Sequence, residues 1–420
     1  MTLPNIQETL VEQNPWWTGA VEVSSRPRAV ESELARVFPR RQILALTGMR
    51  RTGKTTLLVR LAASAMDGGV EPRRVVYFSF DEHRSSSVRD VLSAWEALTH
   101  ESRRSGRMLL LLDEVQKAAG WQDQVKALYD LNRNLKLVVS GSESLFIRRG
   151  SRESLAGRMF EFLIHPLSFS EFLDFVGVPR DTPAIQRAEI VRALPHYLRS
   201  QGFPELVDEE DASVVRKYIR ESVVERVVYR DLPQVLNIRD PSALEAILNP
   251  LMDEPGQLLE TSRVGKDLGM ARQTASAYLS YLEQSFLLHK LYNWSPNRRK
   301  SERKLKKYYP AVVSPSLIAR ADDSARSKVL EWIVVREARA QYFWRDAYQH
   351  EVDMVLPGPL PVEVKHGKVS TSGLAAFLRR HHSRRAGVVT ADREGTLTVD
   401  GVPVDLVPAH NFLLRGPSDP

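Results

Sequence analysis

The segment from Gly48 to Thr55, Gly-Met-Arg-Arg-Thr-Gly-Lys-Thr, is the feature that most restricts how this chain can fold. In a Gly-x4-Gly-Lys-Thr loop, the glycines let successive backbone N–H groups point at phosphate oxygens, the lysine supplies a positive charge, and the threonine hydroxyl can ligate Mg²⁺. Residues 41–47 have the apolar pattern of a buried strand, and residues 55–65 that of a helix whose N-terminus faces the phosphates. The context predicts an α/β fold that binds a nucleotide. The predicted contact residues are Gly48, Arg50, Arg51, Thr52, Gly53, Lys54, Thr55 and Thr56.

A second motif, at residues 107–114, adds two carboxylates to this prediction. Its apolar run ends in Asp113 and Glu114, which is typical of a parallel strand that is buried on both faces. Ligands bind at the carboxyl ends of such strands, so we expect Asp113 to share a Mg²⁺ ion with Thr55. Glu114 is the candidate for polarising the attacking water. The alternative is a strand that ends in a solvated acidic turn.

The strand predicted over residues 135–142 also ends in polar side chains. Ser140 lies where a hydroxyl could contact the γ-phosphate or orient the water. Serine and glycine at a strand end are equally typical of turns, so both interpretations stay open.

Several motifs resemble those of prokaryotic AAA+ family ATPases. They are the segments 47–58, 112–116, 140–144, 155–158 (Leu-Ala-Gly-Arg) and 166–172 (Pro-Leu-Ser-Phe-Ser-Glu-Phe). The resemblance runs from about residue 26 to about residue 389. It implies an ATPase core that uses ATP and Mg²⁺, followed by a domain of unknown function that ends in a nuclease-like fold. It also implies that Arg158 is a nucleotide-sensing or inter-subunit arginine, and hence a homo-oligomer; a surface salt bridge is the alternative for Arg158. Residues 309–317 depart from the family pattern, and no role is carried over to them.

Composition limits the remaining possibilities. A chain of 420 residues that is 43% hydrophobic is expected to form two or three globular domains. No apolar run approaches the length of a membrane span, and the N-terminus lacks a signal-peptide pattern, so a cytoplasmic protein with no membrane partner is expected. The absence of cysteine excludes disulfides, thiolate-bound zinc and thiol catalysis.

The net charge of +7 is concentrated in the C-terminal half. Residues 298–307 and 379–385 are two basic clusters that could neutralise phosphates, which favours DNA as a partner. A solvated linker or helix face is the alternative.

Residues 258–286 carry a helix-turn-helix pattern. A first helix over 258–268 and a turn over 269–271 precede a helix from Arg272 to Phe286. Its apolar side is predicted to carry Ala275, Leu279, Leu282 and Phe286. Arg272, Gln273 and Thr274 would face base edges in a major groove. A lid or an oligomer contact of winged-helix type explains the same pattern equally well.

The C-terminal segment carries a second set of candidate catalytic residues. Glu331 lies on a predicted helix, Asp353 on a strand, and Glu363 and Lys365 on one face of the next strand. Carboxylates in this order can hold Mg²⁺ against a phosphodiester, and a lysine can activate water. The set resembles the PD-(D/E)xK nuclease pattern, with Glu331, Asp353 and Glu363 as metal ligands and Asp353, Glu363 and Lys365 as catalytic residues. Residues 374–380 and 386–390 are then predicted to be a helix and a strand.

These observations predict an ATPase, with Lys54 and Glu114 as its catalytic residues, that couples its nucleotide state to DNA binding and to metal-dependent DNA cleavage. The alternative is a nucleotide-dependent switch whose C-terminal domains bind a protein partner and cut nothing. The predicted organisation is an N-terminal segment (1–25), a P-loop AAA+ core (26–165), a helical region with a winged helix-turn-helix (166–296), a basic linker (297–307) and a restriction-endonuclease-like α/β domain (308–415).

Overall fold

The computed structural model describes residues 3–19, 25–83, 86–142, 155–180, 183–236, 238 and 240–415. The chain divides into two compact units, 1–165 and 166–420. Two residues of a motif named above, Glu143 and Ser144, lie outside the described residues.

Unit 1 is built around a five-stranded sheet in which all neighbouring strands are parallel. Its strands are β1 (Ile43–Thr47), β2 (Val75–Ser79), β3 (Met108–Asp113), β4 (Leu135–Gly141) and β5 (Met159–Leu163). Their order is β2-β3-β4-β1-β5. Side chains of β1 alternate between two apolar cores, one on each face of the sheet, which explains the continuous apolar run. Strands β1, β4 and β3 are neighbours and run parallel, so their carboxyl ends lie side by side at one edge of the sheet.

Five helices of unit 1 have described bounds: α1 (Leu3–Gln13), α2 (Val30–Val37), α3 (Lys54–Asp67), α4 (Val88–Thr99) and α5 (Trp121–Leu131). The two tryptophans after α1 pack on the sheet, as expected from their apolar rings. The indole nitrogens of Trp16 and Trp17 both donate to the carbonyl of Val75, at 2.9 and 3.0 Å.

Unit 2 begins with helices. They are α6 (Phe169–Val176), α7 (Pro183–Ser200), α8 (Ala212–Lys217), α9 (Leu232–Val235) and α10 (Pro241–Asp253), with π-helical turns over Tyr218–Glu225 and Val227–Asp231. The motif at 166–172 has a local structural cause. Ser168 accepts a hydrogen bond from the backbone of Glu171, whose carboxylate accepts one from the backbone of Ser168, at 3.2 and 3.0 Å. This capping box starts α6.

The predicted helix-turn-helix segment contains two helices, α11 (Thr261–Asp267) and α12 (Arg272–Gln284). The first helix is shorter than predicted because Leu258 and Leu259 belong to strand β6 (Gln257–Leu259). Gly269 has a φ of +62°, as a turn at this position requires. Ala275, Leu279 and Leu282 are buried, whereas Phe286 follows the end of α12.

The predicted basic linker at 297–307 is instead part of the folded unit. Helix α13 (Arg298–Arg303) lies between strands β7 (Leu288–Asn293) and β8 (Lys306–Pro310). Strand β8 is hydrogen-bonded to both β6 and β7, and β7 pairs in parallel with β9 (Tyr342–Arg345). The sheet that begins in the helix-turn-helix region therefore continues into the C-terminal region.

The C-terminal region contains a second mixed sheet, whose strands lie in the spatial order Met354–Leu356, Leu360–Lys365, Ala386–Thr390, Val402–Pro408 and Gly395–Val399. The predicted helix and strand that follow Lys365 are present, over Ser372–His381 and Ala386–Thr390. The remaining elements are α14 (Pro315–Ala319), α15 (Asp323–Glu337), β10 (Glu351–Val352), β11 (Met354–Leu356), β12 (Leu360–Lys365), α16 (Ser372–His381), β13 (Ala386–Thr390), β14 (Gly395–Val399), β15 (Val402–Pro408) and α17 (Ala409–Arg415).

Candidate functional site

The phosphate loop connects β1 to α3 and contains two glycines with left-handed backbones. The φ angles are +141° at Gly48 and +89° at Gly53. A Cβ atom at Gly48 would lie 2.3 Å from the carbonyl oxygen of Ile164, so the close approach of the loop to the end of β5 requires glycine there. Gly53 immediately precedes α3, whose first residue is Lys54.

Lys54 is buried under its own loop, with 5% of its surface exposed. Its Nζ donates to the carbonyls of Gly48 and Met49, each at 2.8 Å. The ammonium is therefore held at the centre of the loop, where a phosphate would contact it.

Arg28, which the sequence did not single out, fixes the other side of the loop. One guanidinium nitrogen donates to the carbonyl of Thr52 at 2.9 Å and another to the carbonyl of His165 at 2.9 Å. The Thr52 hydroxyl donates to the carbonyl of Met49, also at 2.9 Å. These bonds hold the loop backbone in place from the outside, so Thr52 is a structural member of the loop.

Asp113, at the end of β3, faces hydroxyl groups. Thr55 Oγ1 donates to Asp113 Oδ2 at 2.6 Å, and the hydroxyl of Tyr77 donates to the same oxygen at 3.0 Å. Ser140, on the intervening strand β4, donates to Asp113 Oδ1. Burial, and then the charge of Asp113, raises the pKa of Tyr77 well above its usual range, so Tyr77 remains a donor. The predicted partners Thr55, Asp113 and Ser140 thus lie together at the sheet edge beside the loop.

Adjacent hard oxygen donors of this kind fit a Mg²⁺ ion. Thr55 and Asp113 offer a hydroxyl and a carboxylate, and a bound nucleotide supplies phosphate oxygens. Thr55 is exposed, so its hydroxyl is accessible from solvent.

Glu114 follows Asp113 and has a backbone conformation that residues other than glycine rarely adopt. Its φ is +51°, a conformation that costs about 1 kcal/mol or more and often marks a functional position. Glu114 Oε2 accepts from Gln116 Nε2 at 2.7 Å and from Ser142 Oγ at 3.0 Å. Lys117 Nζ lies 3.7 Å from the same oxygen and also pairs with Asp81. The carboxylate is thereby held in one orientation at the same sheet edge.

Four other residues predicted to contact the nucleotide lie in different parts of unit 1. Arg50 and Arg51 lie in the loop itself, with Arg51 at a φ of +66°, and Thr56 is exposed in the first turn of α3. Arg158 lies just before β5, at the opposite end of the sheet from the loop, because β5 runs parallel to β1. Its guanidinium pairs with Asp130 at 3.0 Å. The structure therefore does not bring Arg158 to the phosphate loop of its own chain.

The C-terminal carboxylates face ammonium groups instead of hydroxyls. Lys307, on β8, is 4% exposed, and its Nζ lies 2.8 Å from Glu331 Oε1, 2.8 Å from Glu351 Oε1 and 3.6 Å from Asp353 Oδ1. The Tyr309 hydroxyl donates to Glu331 Oε1 at 2.6 Å. Burial alone would lower the pKa of Lys307, but the surrounding acidic groups, Glu331 foremost, raise it well above its usual range. Lys307 is thus a permanently charged residue within the acidic cluster.

A second lysine lies beside the other two carboxylates. Lys365 Nζ is 3.2 Å from Glu363 Oε2 and 3.8 Å from Asp353 Oδ2. Backbone N–H groups also bind these carboxylates: Val364 donates to the same Oδ2 of Asp353 at 2.8 Å, and Leu374 donates to the other oxygen of Glu363, Oε1, at 3.0 Å. Burial raises the pKa of Glu363 to about 7.

The predicted metal site on Glu331, Asp353 and Glu363 does not fit this arrangement. Within the described part of the chain, no group of three or more His, Asp or Glu residues is placed to hold a metal ion. The carboxylates are near one another, but Lys307 and Lys365 lie between them. From the sequence, Lys307 is predicted to lie at the end of the basic linker, in a cluster that could neutralise phosphates. The alternation of Lys307 and Tyr309 on one face of a strand is the signal that could have identified it.

The two basic clusters meet in space. The indole of Trp294, next to the first cluster, contacts the imidazole of His381 in the second, with ring centroids 4.8 Å apart. Burial, followed by the charges of Arg380 and Lys300, lowers the pKa of Lys304. Cations from both clusters are therefore close enough to repel one another.

The fold and the loop define a class of protein: a P-loop protein with a parallel α/β core. Residues 40–173 match the family model described as an AAA domain. Residues 191–320 match a model described as a domain of unknown function, DUF8612. The chain thus contains an AAA domain followed by a DUF8612 region.

The chain is similar to several uncharacterized proteins. One from Haemophilus influenzae is 28% identical over 59% of this chain, and the chain spans 62% of that protein's length. One from Methanocaldococcus jannaschii is 24% identical over 89% of this chain and 85% of its own length. One from Mycobacterium tuberculosis is 26% identical over 90% and 84%, respectively.

Two solved structures are distantly similar. The RuvB Holliday junction branch migration motor of Thermotoga maritima is 17% identical, with a TM-score of 0.31 over 65% of this chain and 92% of that chain. AMPPCP-bound DnaA from Aquifex aeolicus is 14% identical, with a TM-score of 0.29 over 60% and 86%. Among the helices that the structure describes, none is long and apolar enough to cross a membrane.

Proposed function

We propose that this protein binds and hydrolyses ATP in unit 1 and couples its nucleotide state to DNA binding by unit 2. The observation that carries the first part is the 2.6 Å contact between Thr55 and Asp113, beside the buried Lys54 and the oriented Glu114. This arrangement supplies each group that phosphoryl transfer to water needs, namely phosphate-binding amides, a cation, metal ligands and a base.

Each residue has a proposed task. Lys54 leaves the carbonyls of Gly48 and Met49 for the phosphate oxygens of ATP. Thr55 and Asp113 would hold a Mg²⁺ ion, which would supply positive charge to offset that developing on the phosphates. Ser140 orients the carboxylate of Asp113 on the side of the site where the γ-phosphate would bind. Glu114 accepts a proton from the attacking water, and Ser142 and Gln116 hold its carboxylate in place.

The arrangement around α12 supports the DNA-binding part of the proposal. Helices α11 and α12 are joined by a short turn and followed by the antiparallel pair β7 and β8, an order typical of winged-helix modules. Arg272 and Gln273 are exposed at the start of α12, before its first buried residue, Ala275. Side chains at this position of a recognition helix reach base edges in the major groove.

The joined basic clusters supply the complementary contact to phosphates. Aromatic packing between Trp294 and His381 keeps Lys304 and Arg380 close together despite their repulsion. A polyanion relieves that repulsion, and the binding it produces weakens steeply with salt.

Metal-dependent cleavage is not part of this proposal, because lysines lie between the C-terminal carboxylates. A homo-oligomer remains part of it: Arg158 lies away from its own loop and is available to a neighbouring subunit's nucleotide. The rival function is a nucleotide-dependent switch that binds a protein partner.

ATPase activity measured with and without single- and double-stranded DNA tests the coupling. We expect duplex DNA to raise the rate in the wild type. Charge reversal in Arg272→Glu or in the Lys304→Glu/Arg380→Glu double variant should remove the stimulation and leave the DNA-free rate unchanged. Arg36→Glu is the matched control, because Arg36 is 76% exposed on α2.

Fluorescence anisotropy with a labelled duplex gives the second readout. Between 50 and 200 mM salt we expect the affinity to fall by roughly 10³-fold or more, as for proteins with several phosphate contacts. ATP hydrolysis that is indifferent to DNA, together with no measurable duplex binding, would contradict the coupling and favour the protein-partner function.

A further inference from the structure

The acidic cluster of unit 2 holds a lysine that comes from outside the predicted nuclease-like domain. Lys307 lies on β8. Its Nζ contacts Glu331 on α15, Glu351 on β10, and Asp353, which follows β10 directly. In a metal-dependent nuclease site of this kind, the centre of such a cluster belongs to the divalent ion. Here an ammonium group lies among these three carboxylates.

We propose that Lys307 permanently replaces a divalent cation, so that the C-terminal domain binds no catalytic metal and cleaves no DNA. The lysine then serves as an internal counter-ion that joins the helix-turn-helix sheet to the nuclease-like region. This inference goes beyond the proposed ATPase function and does not depend on it.

The backbone of Lys307 is fixed within its sheet. Strand β8 is an interior strand, and Lys307 is opposite Leu258 on one side and Leu291 on the other. The Cα atom from which the side chain starts is therefore held on both sides, and the ammonium group has three carboxylate partners within 3.6 Å. The chain also closes over the cluster at Gly256, where an added Cβ would lie 3.1 Å from Glu331 Oε1. A lysine held this way is a fixed part of the fold rather than a removable plug.

Several of the carboxylate oxygens already have donors. Glu331 Oε1 accepts from Lys307 and Tyr309, and Glu351 uses its two oxygens for Lys307 and for Arg345, the latter at 3.2 Å. Asp353 and Glu363 each accept a backbone N–H and lie beside Lys365. A divalent ion beside Glu331, Glu351 and Asp353 would have to displace these donors and overcome the repulsion of the Lys307 ammonium group, which has no counterpart in the predicted nuclease pattern.

Mn²⁺ alone, added to the full chain without nucleotide, tests the proposal. In the wild type we expect Mn²⁺ to shift the Tm no more than in Asp353→Asn, and a supercoiled plasmid to stay intact. Removing the ammonium in Lys307→Met leaves buried carboxylates uncompensated and should lower the Tm by about 10 °C. Mn²⁺ should then restore several degrees, because the ion can occupy the vacated position.

The matched control is Lys306→Met, since Lys306 is the adjacent lysine on β8 and its side chain points to the opposite face. We expect its Tm to change by less than about a third of the Lys307→Met change, as is usual for residues away from a buried network. Should Lys307→Met fail to fold, the comparison of wild type with Asp353→Asn still decides. Mn²⁺-dependent plasmid cleavage by the wild type that disappears in both Asp353→Asn and Glu363→Gln would overturn the proposal, whatever the ATPase activity.

Discussion

The two carboxylate clusters of this protein use the same residue types but differ in the groups that face them. Asp113 accepts hydrogen bonds from three hydroxyls, those of Thr55, Tyr77 and Ser140. Asp353, in contrast, is flanked by the ammonium groups of Lys307 and Lys365. Hydroxyls leave the negative charge of a carboxylate available to a cation, whereas ammonium groups cancel it.

The difference shows why a motif alone does not define a metal site. A divalent ion binds where the net charge is negative and where oxygen donors have free lone pairs. The edge of the parallel sheet in unit 1 meets both requirements. The cluster in unit 2 meets them less well, because Lys307 and Lys365 offset part of the charge of its four carboxylates, although its order of acidic residues along the chain matches that of a nuclease.

The largest effect is expected from removing the phosphate-loop lysine. Lys54→Ala should abolish measurable ATP binding and lower hydrolysis by about 10²-fold or more, because the charge that faces the phosphates is lost. Binding is measured with a fluorescent ATP analogue. Lys126→Ala, on α5, is the control and should bind normally. Normal ATP affinity in Lys54→Ala would show that the loop is not the nucleotide site.

Glu114→Gln should separate binding from turnover. The amide keeps the size of the side chain but cannot accept the proton of water, so hydrolysis should fall by about 10²- to 10⁴-fold while ATP affinity stays unchanged. Phosphate release and equilibrium binding are measured on the same preparation. A variant that hydrolyses ATP at the wild-type rate would show that another group is the base.

The unit 2 cluster should respond to pH through Glu363. Burial raises the pKa of Glu363 from 4.5 to about 7, so the folded protein holds this proton more tightly than the unfolded chain does. The stabilisation is complete below about pH 4.5 and is lost as the pH rises to about 7, a change of up to about 3 kcal/mol.

Thermal unfolding between pH 5 and pH 8 measures this effect. Glu363→Gln cannot titrate, so its Tm should fall less than that of the wild type as the pH rises. Parallel curves for the two proteins would mean that Glu363 is ionised throughout and that the cluster carries more negative charge than the structure indicates.

The smallest effect is expected at Arg158. Its ion pair with Asp130 is partly exposed and lies far from the loop, so Arg158→Ala should change the ATP affinity of the isolated chain by no more than about 3-fold. If Arg158 acts on the nucleotide of a neighbouring subunit, the ATP hydrolysis rate per chain should rise with protein concentration in the wild type but not in Arg158→Ala. A tenfold loss of affinity at low concentration would instead indicate action within one chain.

The sequence was informative where function depends on residues that are close along the chain. The spacing of Gly48, Gly53 and Lys54, and the apolar run before Asp113, depend on short-range rules for strands, loops and helix starts. These rules predicted the parallel core and the carboxyl edge where Thr55, Asp113 and Ser140 meet. Arg28 and Tyr77 were missed because their contacts join residues that are distant in sequence and carry no local pattern.

The linker prediction was wrong for a related reason. A run of seven cations in residues 298–307 suggests a solvated segment, and only long-range pairing with β6 and β7 turns its end into a central strand. The same pairing brings Lys307 to Glu331. No spacing rule within the carboxylate motif could indicate that a lysine from another element fills its centre.

Counting bound Mn²⁺ by electron paramagnetic resonance tests the contrast between the clusters most directly. The full chain is titrated with Mn²⁺ with and without a non-hydrolysable ATP analogue, in wild type, Asp113→Asn and Asp353→Asn. We predict one tightly bound ion per chain that requires the nucleotide, disappears in Asp113→Asn and persists in Asp353→Asn. A nucleotide-independent ion that disappears in Asp353→Asn would contradict the account.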